Sequence, residues 1–167
     1  MINSLLFTLT FISALSCGLM AGVFFAFSAF VMNGLGRLPA AQSVAAMQSI
    51  NAAAFNPVFG TAFSGTTAAC VLLAVASLFR WHKPAGIFHL AGGLFYLVGA
   101  ILVTIAFNLP LNEALAAHDP TSIDGANLWA GYVTSWMAWN HVRTAGALAG
   151  TASLIVALCL PRDGAAE

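Results

Sequence analysis

Charge is what this sequence lacks first. Five Lys plus Arg and five Asp plus Glu make 6% of the 167 residues, against 60% hydrophobic, where an ordinary soluble domain is about 25% charged. So little polar surface excludes a water-facing globule, and the apolar content excludes disorder. With a formal net charge of +0 and scattered cations, the chain offers no basic footprint, so nucleic acid is not an expected partner. Cysteine is scarce as well. Cys17, Cys70 and Cys159 each lie in a long apolar run, and an odd count without a CxxC pair argues against a disulfide framework and a zinc site. They read as small core residues. No cluster of His, Asp and Glu at short spacing supplies a metal site, so no metal ligand is assigned. What remains is an integral membrane protein, with a length suited to one domain over 1–167.

A spanning helix needs about 20 apolar residues, and four stretches qualify: 5–32, 58–79, 85–107 and 136–160. The first carries no charge. It has no Lys or Arg before it and exceeds the apolar core of about 7 to 15 residues typical of a secretory signal, so it is expected to stay in the mature protein. Asn56 and Pro57 open the second as N-cap and first helical residue, and Arg80, His82 and Lys83 stop it. Pro84 starts the third, which is expected to end at Asn108-Leu-Pro110. The fourth carries Arg143 in its first half and closes at Pro161-Arg162-Asp163.

The expected fold is therefore all-α, an integral membrane four-helix bundle with short amphipathic cap helices in the two outer loops. Segment 39–55 carries Val44, Met47, Ile50 and Ala54 at helical spacing, with Gln48 and Asn51 on another face; 109–117 and 126–135 look similar. Arg80, Lys83 and Arg162 gather at one side, whereas the loop with Glu113, Asp119 and Asp124 has no cation. Arg37 dissents, but the balance puts both termini in the cytoplasm of a multi-pass protein of a bacterial inner membrane. Gly18-x-x-x-Gly22 and Gly146-x-x-x-Gly150 are small-residue faces. They suit close packing within one bundle, or a homo-oligomer seam.

Polar side chains are concentrated at the outer end: Gln48, Asn51, Asn56, Asn108, Asn112, Glu113, Trp136, Trp139, Asn140, His141 and Arg143. Trp136, Asn140 and Arg143 fall at i, i+4 and i+7, so they share a helix face, and Trp139 stands beside Arg143. A charge inside a span costs at least about 2.5 kcal/mol unless it is paired or faces a cavity. Arg143 therefore needs a partner, and Glu113 is the nearest by topology, with Asn108, Asn112 and Gln48 as alternatives. Each residue also has a plainer use: an arginine snorkelling to head groups, tryptophans in an interfacial belt, asparagines as caps. Together they suit a polar-lined pocket. A haem between His89 and His141 fails on geometry, because the two are roughly 20 Å apart along the bundle axis at 1.5 Å per residue.

These segments resemble the anthrone oxygenase-like family of small four-helix integral membrane proteins. The resemblance runs over nearly the whole chain, through Gly18-Leu-Met-Ala-Gly22, Met47-Gln-Ser-Ile-Asn51, Asn56-Pro57, Asn108-Leu-Pro-Leu-Asn112 and Trp136-Met-Ala-Trp139-Asn140-His-Val-Arg143-Thr144. The last is its most specific motif. The resemblance implies the fold and an oxygenation of an anthrone to an anthraquinone with no cofactor, neither flavin, haem nor metal. On that reading Arg143 stabilises an enolate, Asn140, Asn108 or Asn112 donates hydrogen bonds, and Glu113 or His141 is the base. Trp136 and Trp139 stack on the rings, and Gln48 and Asn51 complete the substrate-binding set. The partner is a hydrophobic small molecule or lipid, delivered by the bilayer. The alternative is a non-catalytic lipid or quinone binder or an accessory membrane protein; a solute carrier would show broken helices at corresponding positions of two halves, which this chain lacks.

Overall fold

The computed structural model describes residues 2–80 and 82–161. Arg162 and Asp163, read above as the stop of the last span, lie outside the described residues. Among those described, four helices are long and apolar enough to cross a membrane, and the protein is an all-helical membrane bundle. Helix α1 is α-helical over Ile2–Ala26, passes through a π-helical turn at Phe27–Val31 and ends with Met32–Leu35. Helix α2 is Ala40–Ala53 and α3 is Pro57–Leu78. Helix α4 is Pro84–Ala116, with π-helical turns at Leu97–Leu102 and Thr104–Asn108. Helix α5 is Ile123–Cys159.

Local chemistry sets these starts. Asn56 Oδ1 accepts from the Phe59 N–H at 2.9 Å, with Pro57 behind it where no N–H is needed. Ser122 Oγ accepts from the Gly125 N–H at 3.0 Å, and Asp124 sits in the positive first turn of α5.

Two boundaries differ from expectation. The third helix does not end at Asn108-Leu-Pro110 but continues to Ala116. Proline breaks a regular helix because its ring strikes the carbonyl four residues back. Here the turn at Thr104–Asn108 is widened, with Leu109 N–H donating to Thr104 O five residues back, which lets the chain pass Pro110 and stay helical. The fourth helix begins at Ile123 rather than at 136, and runs 37 residues. Its polar members Asn127, Thr134 and Ser135 are exposed, while Trp129, Tyr132 and Trp136 are buried at three- and four-residue spacing. The amphipathic segments expected at 109–117 and 126–135 are thus the prolonged ends of α4 and α5.

Helix α2 closes this end as a cap. Val44 and Met47 are fully buried against Leu115, Trp129, Tyr132 and Trp136. Ser43 Oγ donates to Leu35 O at 2.7 Å, and Gln48 Nε2 donates to the carbonyls of Leu115 and His118 at 2.8 and 2.9 Å. Those carbonyls lie in the last turn of α4 and just beyond it. Gln48 is thereby a strap between α2 and α4.

The bundle turns large apolar side chains outward: Leu15, Phe25, Leu72, Val98 and Ile105 are all exposed, as lipid contact demands. Its interior is Cys17, Met20, Leu73, Tyr96, Ala100, Ala147 and Leu154. Cys17 and Cys70 bring their sulfurs to 3.6 Å, while Cys159 is exposed and is no core residue. Small residues set the closest helix approach. A Cβ on Gly99 or on Gly146 would stand 2.7 Å from the other's Cα, and one on Gly150 would stand 3.1 Å from Gly92 O. The Gly146-x-x-x-Gly150 face is therefore spent inside the bundle, against α4. Gly18 meets only Thr151, at 3.7 Å, and Gly22 has nothing within 4 Å, so that motif is not a close-packed face of the bundle.

Candidate functional site

At 1.5 Å per residue α5 is about 55 Å long, well beyond a hydrocarbon core of about 30 Å. Arg143 stands 16 residues before its end at Cys159, about 24 Å along the axis. That places Arg143 toward the capped end of the bundle, just below the cap.

Arg143 is only 7% exposed and does not face lipid. One terminal nitrogen donates to Asn140 Oδ1 at 2.7 Å and the other to Thr104 Oγ1 at 3.3 Å. Its guanidinium carbon lies 4.6 Å from the Phe24 ring centroid and 5.0 Å from that of Trp136. A planar cation between two aromatic faces is attracted by both ring quadrupoles. Neither hydrogen-bond partner carries a charge, so the cation is held by neutral groups. Its expected partners are elsewhere: Glu113 is exposed, Gln48 binds carbonyls, and Asn108 and Asn112 bond to Trp136, two turns earlier on α5.

Asn140 is fully buried and ties α5 to α1, since its Nδ2 donates to Phe24 O and Ser28 Oγ, both at 2.8 Å. Above Arg143, Asn112 Oδ1 accepts from Trp136 Nε1 at 2.8 Å and from Tyr132 Oη at 2.9 Å. Asn108 Nδ2 donates to Trp136 O at 3.2 Å. Ser28 lies in one π-helical turn, and Thr104 and Asn108 in another. Such widened turns gather at functional sites because they re-aim side chains and carbonyls. Two buried polar atoms of this same cluster have no protein partner, Arg143 Nε and Asn108 Oδ1; Asn51 stands beside Tyr132. Orphaned polar atoms are rare in folded proteins and costly in a dry interior. A donor and an acceptor left over in one cluster suit a ligand that offers both an anionic or carbonyl oxygen and a hydroxyl.

Of the residues read as functional in the sequence, the structure brings together Asn51, Asn108, Asn112, Trp136, Asn140 and Arg143. It does not bring in His141 or Glu113, both exposed, nor Gln48. Trp139 is on the flank, stacked on Phe107 with ring centroids 3.5 Å apart, where it walls a groove with Pro110 and Ser135. Asn56 caps α3. His89 is buried at the other end, bonded to Thr10. The sequence reading missed Phe24, Ser28, Thr104 and Tyr132. Tyr132 is four residues before Trp136 on the same buried stripe, and an earlier start for α5 would have exposed it. No sequence signal marks Phe24, whose carbonyl and ring both serve.

A family model described as "Anthrone oxygenase" matches residues 53–153, more than half of the chain. The match takes in Thr104, Asn108, Asn112, Tyr132, Trp136, Asn140 and Arg143, but not Phe24, Ser28, Gln48 or Asn51. Neither the curated proteins nor the solved structures compared contain a match to the chain.

Proposed function

Because the chain belongs to the anthrone oxygenase family, we propose that it is a membrane-embedded oxygenase that converts a hydrophobic aromatic ketone or phenol of the anthrone type to the quinone. The observation that carries this reading is a buried arginine with neutral partners, flanked by two aromatic faces and by unpartnered polar atoms. Such a group favours whatever negative charge arrives or develops beside it. An anthrone is in equilibrium with its enol, whose O–H proton passes to water as the guanidinium holds the enolate, and the same proton equivalent returns to the peroxide formed later. The carbanion carbon then gives its electron pair to O2, forming a C–O bond. The peroxide is protonated and expels water as the remaining C–H proton leaves, so a CH2 and O2 become a C=O and H2O. Arg143 stabilises the enolate oxygen, Asn108 and Asn51 fix the ring hydroxyls, and Trp136 and Phe24 sandwich the charge. The bilayer delivers both the aromatic and O2 to this depth.

The test is O2 consumption and quinone formation by the purified protein in detergent with an anthrone. Wild-type turnover supports the proposal. No turnover across a broad panel of anthrones and reduced quinones would move the assignment to non-catalytic quinone or lipid binding. That second reading has its own support, since neither Glu113 nor His141 reaches the cluster to serve as a base.

The placement of Arg80 and Lys83 supports a cytoplasmic turn between α3 and α4, with both termini on that side of a bacterial inner membrane. In a Cys159→Ala background, cysteines placed at Lys83 and Asp124 are expected to label from opposite faces of sealed vesicles. Labelling of both from one face overturns the orientation.

A further inference from the structure

The seam between α4 and α5 holds a feature that the Arg143 cluster does not use. A groove of about 390 Å³ opens on the flank of the bundle between Ala106, Phe107, Pro110 and Leu111 of α4 and Ser135 and Trp139 of α5. Small-molecule sites occupy about 300 to 1,000 Å³. Trp139 precedes Arg143 by four residues and Phe107 follows Thr104 by three. The two helices run antiparallel, so the groove lies one turn nearer the cap than the Arg143–Thr104 bond, with its exposed residues toward the lipid.

Two observations point to what fills it. Phe107 and Trp139 stand face to face, with 3.5 Å between ring centroids and 4° between planes. Atoms in contact are themselves about 3.5 Å apart, so one ring lies squarely over the other. Like faces then meet, an arrangement that aromatic pairs avoid in favour of offset or edge-on packing. A third ring between them relieves this when it is poor in electrons, as a ring fused to carbonyls is, because its face is opposite in polarity to theirs. The second observation is a backbone carbonyl. Leu109 N–H is spent on Thr104 O, and Pro110, next in line, has no N–H. Ile105 O, which one or the other would have met, is left without a helical donor beside Ala106 and Pro110 of the groove. A hydroxyl group on the occupant supplies that donor.

We propose that this groove binds a flat fused-ring ketone or quinone that carries a hydroxyl, taken from the bilayer with Phe107 and Trp139 parted onto its two faces and its O–H donated to Ile105 O. An acyl chain answers neither feature, having no ring face and no donor. The inference rests on the geometry of the seam and not on the oxygenase reading.

The experiment uses the purified full chain in nonionic detergent, labelled with fluorotryptophan and followed by fluorine NMR, with each line assigned by replacing one tryptophan at a time with phenylalanine. The probe is a monohydroxyanthraquinone. The Trp139 line should shift saturably on titration, while the Trp136 line reports separately on the Arg143 cluster. Unsubstituted anthraquinone should bind at the groove roughly three- to tenfold more weakly for want of the hydroxyl. Phe107→Ala, at an exposed position where folding is not at stake, should weaken binding of the probe by roughly tenfold. A chain that shows no turnover but shifts at Trp139 keeps this site and loses only the oxygenase. A Trp139 line that stays in place, whether or not Trp136 moves, overturns the proposal. So does an equal shift with a saturated fused-ring alcohol of the same size, or a Phe107→Ala variant that binds as tightly as wild type.

Discussion

Arg143→Lys is expected to lower O2 consumption with an anthrone by about two to three orders of magnitude, the usual cost of losing an oriented donor to a developing anion, while the helical fold survives. Lysine keeps the charge but not the plane. The guanidinium reaches Asn140 Oδ1 at 2.7 Å and Thr104 Oγ1 at 3.3 Å from separate nitrogens while lying between Phe24 and Trp136. A single ammonium cannot hold both bonds and both ring contacts at once. The Asn140→Ala change should act in the same direction, since it frees one arm of Arg143 and unties α5 from Phe24 and Ser28. Circular dichroism and gel filtration separate a lost fold from a lost rate. Folded variants that turn over as fast as wild type would remove Arg143 from the chemistry.

The fold was legible in the sequence because lipid imposes it. A chain with 6% charge and four long apolar runs has no other way to satisfy its backbone than spanning helices. The Trp136, Asn140 and Arg143 face was legible for a similar reason, as helical spacing aligns them and burial makes an unpaired arginine costly. Its partners were not. Proximity in the chain order suggested Glu113 and electrostatics favoured a carboxylate, but α4 continues past Pro110 and Glu113 points out of the cluster. Thr104 entered instead through a π-helical turn, and no residue pattern marks such a turn in advance. Tyr132 was hidden for a related reason, since 126–135 read as a separate cap helix and its buried stripe was not joined to Trp136 on one continuous α5.

Gly146→Leu is expected to cost about 3 kcal/mol, at the upper end for overpacking, against a total stability of about 5 to 15 kcal/mol, and so to lower Tm sharply in detergent. A Cβ there would meet Gly99 Cα at 2.7 Å and Phe95 O at 2.9 Å. Both are backbone atoms, and no side-chain rotation relieves them. The helices α4 and α5 must move apart, and the strain falls one turn from the site, because Arg143 precedes Gly146 by three residues and Thr104 follows Gly99 by five. The 3.3 Å bond between Arg143 and Thr104 is the first to open. Any protein that remains folded should therefore also turn over more slowly. Gly22→Leu is the matched control, since that position is exposed with nothing within 4 Å, and it should unfold at the wild-type temperature. A Gly22→Leu variant as unstable as Gly146→Leu would mean that the first glycine face packs against a second copy of the chain. A Gly146→Leu variant that unfolds early but keeps full activity per folded molecule would mean that Thr104 has no part in holding Arg143.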